Sequence, residues 1–218
     1  MTSRSYDQFC GIARALDLVG ERWALLVVRD LILGPKRFTD LRRGLPGIGT
    51  NVLAARLKEL ERGGVVARRT LPPPAASTVY ELTEYGRTLE TPLLALGCWG
   101  ARSMGARQPE QALRSEWFGV ALKAFFRPEA AADLKAEVEL RFDDGTLLAR
   151  LDHGTLVVEP ASPNGADLVL TTEVETLIAY LAGAAVPPAA LEPEGDQTLL
   201  ERLPQVFAFG PVEGPSQR

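Results

Sequence analysis

Cysteine and histidine are both scarce in this 218-residue chain, which has only Cys10 and Cys98 of the first and His153 of the second. The two cysteines lie far apart, and neither has a CxxC partner or a nearby Cys/His cluster. Neither a disulfide framework nor a zinc site is therefore indicated. One histidine leaves the chain poor in the commonest general base and metal ligand. No nucleophile, base and orienting group assemble along the sequence, and the neighbours Asp143 and Asp144 suit a turn better than a catalytic pair. His153, between Asp152 and Gly154, also reads as a turn residue. The expectation is a protein that is not an enzyme, with no catalytic residues, no metal and no cofactor. An apolar run of 18 residues is missing, as is a charged start leading into a short apolar core and cleavage site. Membrane spanning and secretion are unsupported, and a cytoplasmic protein is expected.

Apolar residues are plentiful, at 46% of the chain, and at this length domain statistics favour two cores of about 100 residues each. The small polar stretch around Met104–Glu110 is a plausible linker, giving expected domains at 1–107 and 112–210. The net charge of −4 hides a division between them. Residues 1–107 carry 16 Lys and Arg against 10 Asp and Glu, net +6, and residues 108–218 carry 8 against 18, net −10. A basic half joined to an acidic one fits a nucleic-acid-binding module coupled to something that does not touch phosphate.

Glycine and proline punctuate the basic half. A short helical pattern, Cys10 to Leu18, is separated by Gly20 from a second, Glu21 to Leu33, whose apolar residues surround the axis and so belong inside a domain. Gly34-Pro35 ends it. Phe38 to Arg43 makes a short third helix, and Gly44, Pro46, Gly47 and Gly49 enforce a tight turn. A fourth helix starts at Thr50, whose hydroxyl suits an N-cap, and ends at Gly63-Gly64. Short helix, glycine turn and longer helix make a helix-turn-helix. Two strand-like segments, Val65–Thr70 and Thr78–Thr83, flank the proline-rich Leu71–Ser77 and form a wing; a long helix is expected over Glu84 to about Met104.

With Leu53, Leu57 and Leu60 facing inward, a spacing of 100° per residue turns Asn51, Ala55, Lys58 and Arg62 outward. That face enters a major groove in such folds, where Asn pairs with adenine, Ala touches a thymine methyl and Lys reaches guanine or phosphate. Lys36, Arg37, Thr39, Arg42 and Arg43 around the third helix, Thr50 at the start of the fourth, and Arg68 and Arg69 at the wing base complete the candidate DNA-binding set. The arginines and lysines of this group suit phosphate contacts. The wing tip between Leu71 and Ser77 lacks Lys and Arg, which argues against deep minor-groove insertion.

In the acidic half, Ser115 to Phe126 places Trp117, Phe118, Leu122, Phe125 and Phe126 on one helical stripe. Strands are expected at Ala136–Phe142, Thr146–Asp152, Thr155–Pro160 and Ala166–Thr171, with Asp-Asp-Gly and Asp-His-Gly hairpin turns. Helices are expected at Glu173–Gly183 and Gln197–Val206. The fold class is α+β: an N-terminal winged helix-turn-helix and a C-terminal sheet-and-helix domain.

Cys10-Gly-Ile-Ala-Arg-Ala-Leu-Asp-Leu-Val-Gly-Glu-Arg-Trp23, Gly34-Pro-Lys-Arg-Phe-Thr-Asp-Leu41 and Gly49-Thr-Asn-Val-Leu-Ala-Ala-Arg-Leu57 resemble the HxlR-type winged-helix regulators over roughly residues 5–105. The resemblance implies a homodimer formed through the first and last helices of the domain, bound to a two-fold related double-stranded DNA operator, usually as a repressor. It departs at Gly11, where the family often has proline. In some members the cysteine matching Cys10 senses oxidants, a role for which Arg14, one turn on, would lower the thiol pKa; the other reading of Cys10 is packing at a dimer contact. Cys98 reads as core packing. Asp143-Asp-Gly145, Asp152-His-Gly154, Ala166-Asp-Leu-Val-Leu170 and Glu194-Gly-Asp-Gln-Thr-Leu-Leu-Glu-Arg-Leu203 resemble the sterol-carrier-protein type lipid-binding fold over roughly 112–210. This second resemblance implies an apolar tunnel for a small molecule, lined by Trp117, Phe118, Leu122, Phe125 and Phe126. Three functions therefore stand side by side: a ligand-modulated DNA-binding regulator, a lipid or metabolite carrier dimerised by its first half, and a thiol-based redox regulator acting through Cys10.

Overall fold

In the computed structural model, which describes residues 5–73, 76–161 and 165–209, the chain divides into two units, Met1–Leu93 and Leu94–Arg218. The first contains α1 (Gly11–Val19), α2 (Ala24–Ile32), the two-residue β1 (Lys36–Arg37), α3 (Phe38–Gly44) and α4 (Thr50–Arg62). It continues with β2 (Val66–Thr70), β3 (Thr78–Leu82) and the one-turn α5 (Glu84–Arg87). Helix α6 (Glu90–Ala101) starts in the first unit and ends in the second. Val27, Val28, Leu31, Leu41, Leu53 and Leu57 form the centre of its core, and Leu89 and Leu93 pack against that core.

Three local features depart from expectation. Helix α2 starts three residues later than Glu21 because Trp23 adopts a left-handed φ of 80°, which no continuing helix of L-residues accommodates. Gly49, not Thr50, is the N-cap of α4, and no side chain caps that helix. The long helix expected from Glu84 is two helices. Thr83 accepts the Gly86 N–H at 2.9 Å and donates to the Gly64 carbonyl at 2.6 Å. These bonds tie α5 to the base of the wing, and α6 begins afresh at Glu90. Of the expected proline loop, Pro74 and Ala75 lie outside the described residues.

The second unit continues with α7 (Ser115–Ala124), β4 (Lys135–Phe142), β5 (Gly145–Asp152), β6 (Thr155–Pro160), β7 (Leu168–Thr171), α8 (Val174–Leu181), β8 (Pro193–Gly195) and α9 (Gln197–Val206). Its strands form one sheet in the order β6-β5-β4-β7-β8, with β4 and β7 parallel and the other neighbours antiparallel. Two-residue loops close both hairpins: Asp143-Asp144 between Phe142 and Gly145, and His153-Gly154, at φ of 47° and 82°, between Asp152 and Thr155. Edge strand β8 was not expected; it opens on proline, a residue confined to edges and strand starts because it donates no ladder hydrogen bond.

Alternation along the strands separates two faces. Val138, Leu140 and Ala149 meet Leu122 of α7, Leu177 and Leu181 of α8 and Leu203 of α9. The other rows carry charge: Arg150 bonds Glu137 at 2.7 Å and Glu159 at 2.5 Å, and the fully buried Glu139 accepts from Arg141.

The apolar interior is filled. Its enclosed cavity has a volume of about 10 Å³, no more than the roughly 10–15 Å³ that a single water needs. Among the described residues, this enclosed cavity is too small to be the expected ligand tunnel. Phe118 and Leu122 are core residues, with Phe118 edge-on to Phe142 at 5.8 Å. Trp117 is half-buried on the same helix. Phe125 and Phe126 lie just past its C-terminus, where the helical stripe no longer governs direction.

Candidate nucleic-acid interface

The candidate reading face is built from the inside of α4 outward. Leu53, Leu57 and Leu60 are at most 1% exposed, and truncating any of them to Ala would cost about 2–5 kcal/mol through lost burial and the cavity left behind. Anchoring that side leaves Asn51, Ala55, Lys58 and Arg62 exposed on the other. Arg56, a residue of the same helix, is turned inward and clamps Glu21 and Glu59.

The turn before α4 is set by buried Leu45 and Ile48, whose backbone groups bond at 3.1 Å, and by Gly47 at φ 86°. Arg42 Nη1 donates to Thr50 Oγ1 at 3.4 Å, so these two candidates tie the end of α3 to the start of α4. Asp40 accepts the Arg37 N–H at 3.3 Å and stands 3.8 Å from Arg43. Thr39 is exposed on α3. Beneath the turn, the buried Asp30 accepts two hydrogen bonds from Arg29, at 2.9 and 2.8 Å. A Cβ on Gly44 would stand 2.5 Å from Asp30 Oδ2, so any larger residue there requires the Asp30 carboxylate to shift.

Strand β1 was not visible in the sequence, yet it organises the cations. The first unit's sheet has the order β1-β3-β2. Lys36 pairs with Tyr80, which pairs with Arg68; Arg37 pairs with Val79, which pairs with Arg69. Two adjacent pairs of basic residues, more than 30 positions apart in the chain, thus form two cross-strand rows. They are not equivalent. Arg69 makes a two-point ion pair with Glu81, at 3.0 Å through both Nε and Nη2, which commits its charge internally. Arg68 and Arg37 are exposed and better placed to meet phosphate.

Cys10, the N-cap residue of α1, is exposed. Its thiol pKa is held below the ordinary value by the backbone N–H groups of Ala13 and Ile12, which favour the thiolate, although no strict capping hydrogen bond forms. Arg14, the expected cause, plays no part in that shift. The buried-packing reading of Cys10 is not met within the chain. Cys98 is half-buried and donates to the Ala124 carbonyl at 3.2 Å. Among the described residues no group of three or more His, Cys, Asp or Glu side chains could hold a metal ion, and no helix is long and apolar enough to cross a membrane.

An anchored helix, a glycine turn and a basic three-stranded wing define a winged helix-turn-helix protein. The model of the HxlR-like helix-turn-helix family matches residues 18–108. Among curated relatives, the uncharacterized HTH-type transcriptional regulator YdeP of Bacillus subtilis is 38% identical over 100 residues, covering 45% of this chain and 78% of that protein. The HTH-type transcriptional regulator YodB of the same organism is 39% identical, covering 39% and 76%. Among solved structures, the oxidized form of the redox regulator HypR is 35% identical, with a TM-score of 0.42, over 44% of this chain and all of that one. The chain belongs to the HxlR-like helix-turn-helix family and is a DNA-binding transcriptional regulator rather than an enzyme.

Proposed function

We propose that the chain is a cytoplasmic homodimeric repressor that reads a two-fold related operator with the α4 face Asn51, Ala55, Lys58 and Arg62. The observation carrying this reading is the clean division of α4 into a buried leucine row and an exposed polar row beside the exposed Arg37 and Arg68. Dimerisation is supported by Phe9, Ile12 and Leu16, which stand exposed three and four residues apart on and before α1. An unpartnered apolar stripe of this kind is the signature of a helix that packs on another chain.

The test is a fluorescence-anisotropy titration of the full chain on the DNA upstream of its own gene and on unrelated DNA, from 50 to 300 mM salt. A dimer by light scattering and upstream DNA bound at least about a hundredfold more tightly than unrelated DNA are expected, on the lower side of the usual specific-to-non-specific ratio. Equal affinity for the two DNAs at every salt concentration would remove the sequence-specific reading.

Ligand control from the second unit belongs to the proposal, and its sheet-and-helix architecture accords with a sterol-carrier type of fold. The enclosed cavity among the described core residues, at about 10 Å³, is too small for such a ligand. No observation favours the carrier reading for the same reason.

A second reading, thiol-based control through Cys10, is favoured by the exposure and lowered pKa of that thiol. A thiol whose pKa is lowered carries more thiolate at any pH below its ordinary value and therefore reacts faster there. Alkylation by iodoacetamide in a Cys98→Ser variant is expected to rise with pH at a midpoint below that of a cysteine in an unfolded peptide. A midpoint equal to the peptide's, or oxidant changing DNA binding of the wild type and Cys10→Ser alike, would end this reading.

A further inference from the structure

Between α1 and α2 the chain turns within Glu21 to Ala24, where the Ala24 N–H donates to the Glu21 carbonyl at 3.0 Å. The third residue of this turn, Trp23, sits at φ 80° and ψ −20°. Glycine or asparagine ordinarily takes such a position, because a bulky side chain there strains the backbone. Strain of this kind persists only where the surroundings enforce it, and it gathers at working sites.

The strained residue is braced against the reading helix. The Cη2 edge of the Trp23 ring lies against the turn before α4, 3.9 Å from where a Cβ on Gly47 would stand, and the ring packs on the core of the first unit. Glu21, on the other side of Arg22 in the chain, stands 3.7 Å from Arg56 Nη1 of α4. Both neighbours of Arg22 are thereby tied to the turn and the helix that follows it.

Arg22 itself is exposed, with its guanidinium carbon 5.4 Å from the centre of the Trp23 ring. That distance is within the range of a cation–π contact. No carboxylate among the described residues pairs with it. The ring contact holds the group while committing none of its N–H donors to an oxygen, whereas Arg69 has given two of its donors to Glu81. A planar fork of charged donors fits a phosphate. In a helix-turn-helix the N-terminal part of the second helix reaches base edges, so the turn just before it stands at the rim of the groove, where the phosphate strand passes.

We propose that Arg22 is a phosphate contact of the DNA-bound chain and that Trp23 is the residue that positions it. The inference rests on α4 being the groove-facing helix, and it adds a backbone contact from the loop between α1 and α2.

The test is anisotropy titration of the full chain on the DNA upstream of its own gene and on unrelated DNA over a salt series. Arg22→Ala should weaken binding to both DNAs alike, by roughly five- to tenfold at 100 mM salt, and flatten the slope of log affinity against log salt by about one per bound chain. Arg22→Lys keeps the charge and should hold the slope. Arg14→Ala removes another exposed cation, from α1, and should move the slope by less than about half as much. In a Trp23→Leu background the further change Arg22→Ala should weaken binding by a smaller factor than it does in the wild type, a coupling that a merely structural role for Trp23 would not produce. An unchanged slope in Arg22→Ala, or a flattening that Arg14→Ala matches, would overturn the contact, and an undiminished Arg22→Ala effect in the Trp23→Leu background would overturn the positioning. Asn51→Ala separates the two readings, because it reports on α4 through base discrimination and not through salt. Discrimination lost in Asn51→Ala beside an unchanged Arg22→Ala slope overturns the Arg22 contact alone, and discrimination kept removes the α4 reading on which that contact rests.

Discussion

Replacing Gly86 by Ala is expected to destabilise the first unit by about 2 kcal/mol, although alanine is the better helix former by about 1 kcal/mol. The reason is position. A Cβ at residue 86 would stand 2.0 Å from the Val65 carbonyl oxygen and 3.3 Å from Thr83 Oγ1. The first of these is a backbone atom that cannot swing aside, and forcing extra atoms into a packed contact costs about 1–3 kcal/mol or more. Relief requires moving α5 off the base of the wing and breaking the Thr83 bonds to Gly64 and Gly86. The measurement is the urea midpoint, with Gly97→Ala as the control: Gly97 lies inside α6 with nothing within 4 Å of its added Cβ, so that change should be neutral or stabilising by up to about 1 kcal/mol. If Gly86→Ala matches Gly97→Ala, α5 does not seat on Val65 as described.

Gly86 also illustrates what the sequence could and could not disclose. Helices α1 to α4 were legible because their signals are local: Gly34-Pro35 stops one helix, the glycines from Gly44 to Gly49 bend the chain, and three leucines at helical spacing orient α4. The hairpins of the second unit were legible through Asp-Gly and His-Gly turns. The break between α5 and α6 was not, because Thr83 looks like any helix-starting threonine until the Gly64 carbonyl is brought to it from 19 residues away. Strand β1 is two residues long and exists only because Tyr80 and Val79 pair with it, so no periodicity can reveal it. The aromatic stripe from Trp117 to Phe126 carried helical spacing two residues past the end of α7. In the fold Phe118 and Leu122 fill the core, while Phe125 and Phe126 lie past the end of the helix.

The same long-range pairing decides what each candidate DNA-binding residue should do when changed. Asn51 is exposed in the first turn of α4, so Asn51→Ala should leave affinity for unrelated DNA intact and lower discrimination at one operator base pair by about 1–3 kcal/mol, the worth of a two-point adenine contact. Arg68→Ala should weaken binding to all sequences and reduce the slope of log affinity against log salt by about one, as expected when one phosphate contact is lost. Arg69, its neighbour in sequence, should behave differently because Glu81 holds its guanidinium. Arg69→Ala removes a charge that is already internally offset and leaves a carboxylate on the wing. Its slope should change less than that of Arg68→Ala, and its affinity should fall through repulsion. Glu81→Ala has the opposite sign: it frees Arg69, and binding to every sequence should tighten while the salt slope steepens by up to about one. Anisotropy titrations of the four variants over a salt series separate these outcomes. Should Arg68→Ala and Glu81→Ala move the slope in the same direction, the Arg69–Glu81 pair does not govern how the wing meets phosphate.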